Sequence, residues 1–96
     1  MDRTRTTVEF DVPPHHAARP ALEARFTALL DAHDPPVRIA LLVGNVLRPA
    51  PGDLHRLGRL AVLARRTGHQ VVLRGVGPRL RLLLDLTGLT DALPEG

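Results

Sequence analysis

The sequence contains no cysteine, serine, lysine, tryptophan or tyrosine, and these absences exclude several classes of chemistry. Without cysteine the chain can form no disulfide, no thiolate metal site and no thiol nucleophile. Serine hydrolysis and lysine Schiff-base catalysis are excluded as well, since each needs the missing side chain. We therefore expect a protein that is not an enzyme.

Aromatic side chains are scarce, because Phe10 and Phe26 are the only two. The core must be built from Leu, Val, Ile and Ala, which bury less area per residue than aromatic rings do. The 96 residues, 44% of them hydrophobic, suffice for a single domain over residues 1–96. A partner or a second copy of the chain would add stability, so a homo-oligomer is one expectation.

All thirteen basic residues are arginines, which face ten acids and leave a net charge of +3. The exclusive use of arginine is typical of GC-rich bacteria. This charge permits nucleic-acid binding without indicating it. The amino terminus shows no signal-peptide pattern, and no apolar run approaches the roughly 20 residues that span a bilayer. We expect a cytoplasmic protein without membrane insertion.

The first half of the chain predicts two strands around one helix. Thr6 to Val12 alternates apolar and polar residues, which is typical of a half-buried strand, and the two prolines that follow place it at a sheet edge. Arg19 to His33 has apolar side chains at helical spacing, with Pro20 in the first turn. Val37 to Val43 is almost continuously apolar and predicts a central strand covered on both faces.

A loop from Gly44 to Gly52 precedes the second predicted helix. Asp53 is the expected N-cap of this helix, and Gly68 is the expected residue just beyond its last turn. Five residues form its inward face: Leu54, Leu57, Leu60, Ala61 and Ala64.

His69 to Val76 predicts a third strand, and a last helix begins at Gly77 and Pro78 and ends at Gly88. Leu80, Leu83 and Leu84 should face inward, with an outward pair between Arg81 and Asp85. The segment after this helix should fold back onto the core through Leu89, Ala92 and Leu93.

Three stretches resemble the carboxy-terminal two-thirds of a STAS domain, the family that includes anti-anti-sigma factors. They are VRIALLVGNV from Val37, LHRLGRLAVLARRTGHQVVLRG from Leu54, and PRLRLLLDLTGLTDAL from Pro78. The match is weakest in residues 1–36. The resemblance implies an α/β fold with a mixed sheet of three to five strands and about three to four helices mainly on one face.

The resemblance also implies a function in regulation by protein–protein interaction. The expected partner is a regulatory kinase, a transporter ATPase or a multi-domain regulator. In anti-anti-sigma members a phosphorylatable serine lies at the start of the second helix, a position that falls here at about Gly52, where no hydroxyl is present. We therefore expect no switch by serine phosphorylation. Asp53 either caps the helix only or supplies a permanent negative charge at that place.

The candidate partner surface is the second helix and the loop before it. His55, Arg59, Val62 and Arg66 form one row opposite the leucine face, and Arg56 flanks this row. In STAS proteins the loop at the position of Pro51, Gly52 and Asp53 touches the partner together with this helix. The row is either a plain solvated face or a docking stripe.

Other functional classes have weaker support. The five histidines lack the spacing of metal ligands and are expected at the surface, and neither GxGxxG nor a P-loop is present. We expect no metal and no cofactor. The alternatives to a STAS-type module are an accessory subunit of an enzyme or transporter complex and, with less support, a small basic nucleic-acid-binding protein.

Overall fold

The described residues fold as three strands that alternate with three helices. The computed structural model describes residues 7–14 and 21–96. Its elements are β1 (Thr7–Asp11), α1 (Leu22–Asp31), β2 (Arg38–Leu42), α2 (Pro51–Arg66), β3 (Gln70–Arg74) and α3 (Pro78–Thr87). This is the element order that the sequence predicts. The predicted contributions of Thr6, Arg19 and Pro20 lie outside the described residues.

The three strands form a parallel sheet in the order β1-β2-β3. Phe10, Leu41 and Leu73 stand in one row across it. The α/β class is confirmed, and β1 is an edge strand of the described sheet, as expected. The mixed pairing expected from the resemblance is not seen among these strands, because each crossover helix returns the chain to run in the same direction.

β2 is the most buried strand, as its apolar sequence predicts. Ile39, Ala40 and Leu41 have no exposed surface. Ile39 and Leu41, the neighbours of Ala40 in the strand, belong to the main core. Ala40 points to the opposite face of the sheet and is not part of that core. On this second face an ion pair of 3.3 Å joins Glu9 and Arg74 across β2.

Residues on both faces of β2 are fully buried, as expected of a strand covered on both faces. The described helices pack on one face of the sheet, as also expected. The reason is topological: with strands in sequential order, right-handed crossovers carry each connecting helix to the same side. α1 contacts α2, and α2 contacts β3. Phe10 and Phe26 meet edge to face with their ring centroids 5.0 Å apart. The buried leucines of α3, Leu80 and Leu84, belong to the same core.

α2 begins three residues earlier than predicted. Pro51 and Gly52 form its first turn rather than the end of a loop, and Ala50 is the residue at the N-cap. Asp53 is therefore the third helical residue and not the N-cap. Proline is well suited to the first position of a helix because the missing N–H has no partner there in any case.

The segment after α3 closes the core and extends the sheet. Leu93 is fully buried, as predicted, and Leu89 is half-buried, whereas Ala92 is exposed. The N–H of Leu73 donates to the carbonyl oxygen of Pro94 at 2.7 Å, and the N–H of Gly96 donates to the Leu73 carbonyl oxygen at 3.0 Å. These two bonds add a single parallel bridge to the outer side of β3.

The predicted pair between Arg81 and Asp85 is wrong. Arg81 instead makes two hydrogen bonds to Glu95, at 2.8 and 2.9 Å. The planar guanidinium matches a carboxylate in this bidentate way, which a single contact along the helix does not offer. Asp85 accepts a hydrogen bond from the hydroxyl of Thr90 at 2.8 Å.

Candidate partner-binding surface

The first turn of α2 is held by the side chain of Asp53. This side chain accepts a hydrogen bond from the N–H of Ala50 at 2.8 Å, while the N–H of Asp53 donates to the Ala50 carbonyl oxygen at 2.9 Å. Asp53 is 5% exposed. Asp53 therefore stabilises the start of α2 from the third helical position, with its carboxylate largely buried there.

The outer row of α2, defined as His55, Arg59, Val62 and Arg66, is exposed along its whole length. Helical spacing predicts this arrangement, because the opposite side of α2 supplies Leu57, Leu60 and Ala64 to the core. Val62 is 49% exposed, which is a large fraction for an apolar residue between charged neighbours.

Arg59 is tied to α1. Its guanidinium donates two hydrogen bonds to the carboxylate of Glu23, at 2.8 and 2.9 Å. The hydrogen bond and the charge of Arg59 lower the pKa of the Glu23 carboxyl, while Glu23 raises the pKa of Arg59. The pair is exposed to solvent, so Arg59 fixes the angle between two helices and offers only part of its charge to a partner.

Arg56 lies beside the outer row and is half-buried. Its guanidinium donates to the carbonyl oxygen of Pro13 at 3.2 Å, which links α2 to the segment that follows β1. Arg56 and Arg59 thus both bind elements of the same chain. Among the basic residues of the outer row, the described structure leaves His55 and Arg66 without an acidic hydrogen-bond partner.

A groove of about 1160 Å³ runs along α2, and its lining includes the four residues of the outer row. The α2 flank presents Leu54, Gly58, Ala61 and Arg65, which fall at i, i+4, i+7 and i+11 and so share one side of the helix. The facing wall is the segment after α3, with Leu89, Asp91, Ala92 and Pro94. Val71 of β3 lies between the two walls. Leu54 and Ala61, expected in the inward face, are half-buried because they line this groove.

The groove is partly detectable from the sequence. The spacing of the four residues on the α2 flank is visible there, and Gly58 stands out as a glycine inside a helix. The facing wall is not detectable, because it depends on how the segment after α3 returns to the sheet. Sequence reasoning therefore missed Gly58, Arg65 and the contribution of Leu89.

His69 is buried, contrary to the expectation of a surface histidine, and is 4% exposed. Its Nδ1 accepts a hydrogen bond from the N–H of Val37 at 3.1 Å, so the proton of the neutral ring lies on Nε2, which donates to the Leu30 carbonyl oxygen at 3.2 Å. One ring thus joins the end of α1 to the starts of β2 and β3, which is a structural role.

No group of three metal-ligating side chains is present in residues 7–14 and 21–96. His15 and His16 lie outside these residues. His33 follows α1 and is half-buried, with its Nδ1 2.9 Å from the carbonyl oxygen of Leu29 in that helix. In the same part of the chain, no helix has the length and hydropathy that crossing a bilayer requires.

The chain shows no match to any protein-family model, curated protein or solved structure with which it was compared.

Proposed function

We propose that this chain is a non-catalytic protein–protein interaction module of the STAS type that acts in regulation in the cytoplasm. Its partner surface is the outer row of α2 together with the exposed Pro51 and the neighbouring Gly52 at the start of that helix. The observation that carries this proposal is the exposure of Val62 between His55, Arg59 and Arg66 on the side of α2 that faces away from the sheet. Arginine around an apolar side chain is a composition enriched at protein interfaces.

The topology supports the choice of family. The described strands and helices alternate, and the helices lie on one face of the sheet, which is the arrangement that the STAS resemblance implies. The proposal includes a larger, mixed sheet, of which the structure describes three parallel strands. The bridge between Leu73 and Glu95 lies where a further strand would begin on the outer side of β3.

The start of α2 supports a module that serine phosphorylation does not switch. Gly52 occupies the position of the phosphorylated serine, and the Asp53 carboxylate beside it is engaged with the backbone of Ala50. A helix start tolerates a phosphate because its free N–H groups and dipole favour negative charge. Here that place already holds a buried carboxylate, so the surface stays in one state.

The partner in this proposal is a protein with acidic groups, in the class of a regulatory kinase, a transporter ATPase or a multi-domain regulator. The positive charge of the outer row would increase the association rate with such a surface. An accessory subunit would use the same surface but would copurify with a catalytic chain at fixed stoichiometry.

The test compares two double variants, each of which lowers the net charge of the chain by three. Both are used for affinity capture from cells of the source species, with quantitative mass spectrometry. Val62→Glu combined with Arg66→Glu alters the outer row and leaves the Arg59–Glu23 pair intact. The matched control is Arg79→Glu combined with Leu82→Glu, since both residues are exposed on α3 and the change in net charge is the same.

We expect the control to capture the same protein partner as the wild type and the α2 variant to lose it, while both remain folded by circular dichroism. Undiminished capture by a folded α2 variant would show that the outer row is only a solvated face. Retention of a nucleic acid in place of a protein, lost as salt rises, would favour the nucleic-acid alternative.

A further inference from the structure

We infer that the groove between α2 and the segment after α3 binds an acidic amphipathic helix of the partner protein. This inference rests on the proposed function, because it names the element of the partner that the module holds. The four residues of the outer row also line this groove, so Gly58, which belongs to the groove and not to the outer row, is the position that tests the two separately.

The shape of the groove fits one helix. Its α2 wall runs from Leu54 to Arg65, a distance of about 17 Å at about 1.5 Å per residue. That length accommodates roughly three turns of a second helix. Gly58 and Ala61 lie near the middle of the wall, and their small side chains allow a helix to approach closely.

Apolar side chains line both walls of the groove. Leu54, Ala61 and Val71 lie on the side of α2 and β3, and Leu89, Ala92 and Pro94 on the facing side. An amphipathic helix would bury its apolar side chains against these groups at i, i+3, i+4 and i+7 spacing.

The charges around the groove select an acidic occupant. Arg38, Arg65 and Arg66 line its end near the last turn of α2, and none of them has a carboxylate partner in the described part of the chain. The Nε of Arg38 is buried there without a hydrogen-bond acceptor among the described residues. Asp91 is the one acidic residue in the lining. Carboxylates on the flanks of the bound helix would supply the missing partners of these arginines.

The probe is a synthetic helical peptide of about 14 residues with leucines on one face and glutamates on both flanks. Its matched control has the same leucines with lysines in place of the glutamates. A single-stranded oligonucleotide of comparable charge serves as a competitor that represents nucleic acids, the alternative class of partner. Binding of each fluorescent probe to the full chain is measured by anisotropy at several salt concentrations.

Gly58 offers a direct way to close the groove. A Cβ at this position meets no atom within 4 Å, and Gly58 lines the groove, so a larger side chain starts in open space there. Gly58→Leu should fold at least as stably as the wild type, because leucine favours a helix more than glycine does. Gly58→Ala is the control, since it gives a similar gain in helix propensity but adds only a methyl group to the groove.

We expect the glutamate peptide to bind the wild type and Gly58→Ala equally, and Gly58→Leu about tenfold or more weakly. Arg65→Gln combined with Arg66→Gln should also weaken it and reduce its salt dependence. The lysine peptide should not bind. Equal binding of the glutamate peptide to Gly58→Leu and wild type would overturn the inference, as would failure to bind the wild type or tighter binding of the oligonucleotide.

Failure of this inference is distinguishable from failure of the proposed function. If the peptide result is negative while the wild type still captures a protein partner through the outer row, only the groove assignment is wrong. If neither the peptide nor a protein partner binds, the proposed function is wrong as well.

Discussion

The hydrogen bonds of His69 lead to a specific prediction about stability. Replacing His69 with alanine removes the acceptor of the Val37 N–H and the donor to the Leu30 carbonyl. Val37 is 5% exposed, so its N–H has little access to water. The Leu30 carbonyl oxygen still accepts a hydrogen bond from the N–H of His33 at 3.3 Å. Losing the bond to Leu30 should therefore cost less than losing the bond to Val37.

The expected cost follows from these contacts. Leaving a buried N–H without an acceptor costs about 1–3 kcal/mol, and the space left by the ring adds about 1 kcal/mol. His69→Ala should therefore lower the free energy of unfolding by about 2–4 kcal/mol, out of a total of about 5–15 kcal/mol. For a domain of this size, such a loss lowers Tm by about 10 °C or more.

The assay is urea unfolding followed by circular dichroism, with two comparison variants. His33→Ala removes a half-buried ring whose hydrogen bond is to the Leu29 carbonyl oxygen in the preceding helix, and should cost less than about 1 kcal/mol. His69→Phe fills the space but supplies no acceptor, which separates packing from hydrogen bonding. Equal losses for His69→Ala and His33→Ala would refute the structural role of His69, and full stability of His69→Phe would refute the hydrogen-bond contribution.

Three further predictions concern the core, the surface ion pairs and modification. Leu41→Asp should leave the chain unfolded by circular dichroism, because an unpaired charge replaces a fully buried leucine, whereas Leu41→Ala should remain folded but lose about 2–5 kcal/mol in urea unfolding. Arg59 lowers the pKa of the Glu23 carboxyl, and Arg81 lowers that of Glu95. Each ion pair therefore stabilises the fold above the ordinary carboxylate pKa of 4.5, and this contribution is lost as pH falls through the lowered pKa. Glu23→Gln and Glu95→Gln should thus be less stable than the wild type at neutral pH, and the difference should shrink as pH falls below 4.5; a difference that does not change with pH would contradict this assignment. Incubation with a cognate kinase and ATP should leave the intact mass unchanged, since the chain has no serine, and a stoichiometric gain of phosphate on threonine would show that a switch exists.

The element order could be predicted from the sequence because it depends on local periodicity. The apolar run around Leu41 is too short for most helices and too continuous for a one-sided strand, so a central strand follows. Gly68 and Gly88 end their helices with positive φ values of 81° and 74°, a conformation that glycine adopts at little cost. These signals are carried by a few neighbouring residues and need no tertiary information.

The wrong predictions have a common physical cause: the side chains contact residues that are distant in the sequence. His69 looks like a surface residue until the ends of α1 and β2 supply a donor and an acceptor for its ring. Arg81 has Asp85 one turn away, yet it binds Glu95, which the returning segment brings into bidentate geometry. The groove was missed for the same reason, because one of its walls belongs to that returning segment.

The division of α2 into four sides determines which charges a partner can use. One side packs in the core through Leu57 and Leu60, and a second is bound to neighbouring elements through Arg56 and Arg59. The fixed sides set the rotation of the helix about its axis, so the outer row and the groove flank are presented at constant angles. Glu23 occupies two of the five N–H donors of Arg59 and already neutralises its charge, so a partner's carboxylate at the other edge of this guanidinium gains little. The electrostatic contribution to binding should therefore come from the arginines of the last turn of α2, and it should survive neutralisation of Arg59.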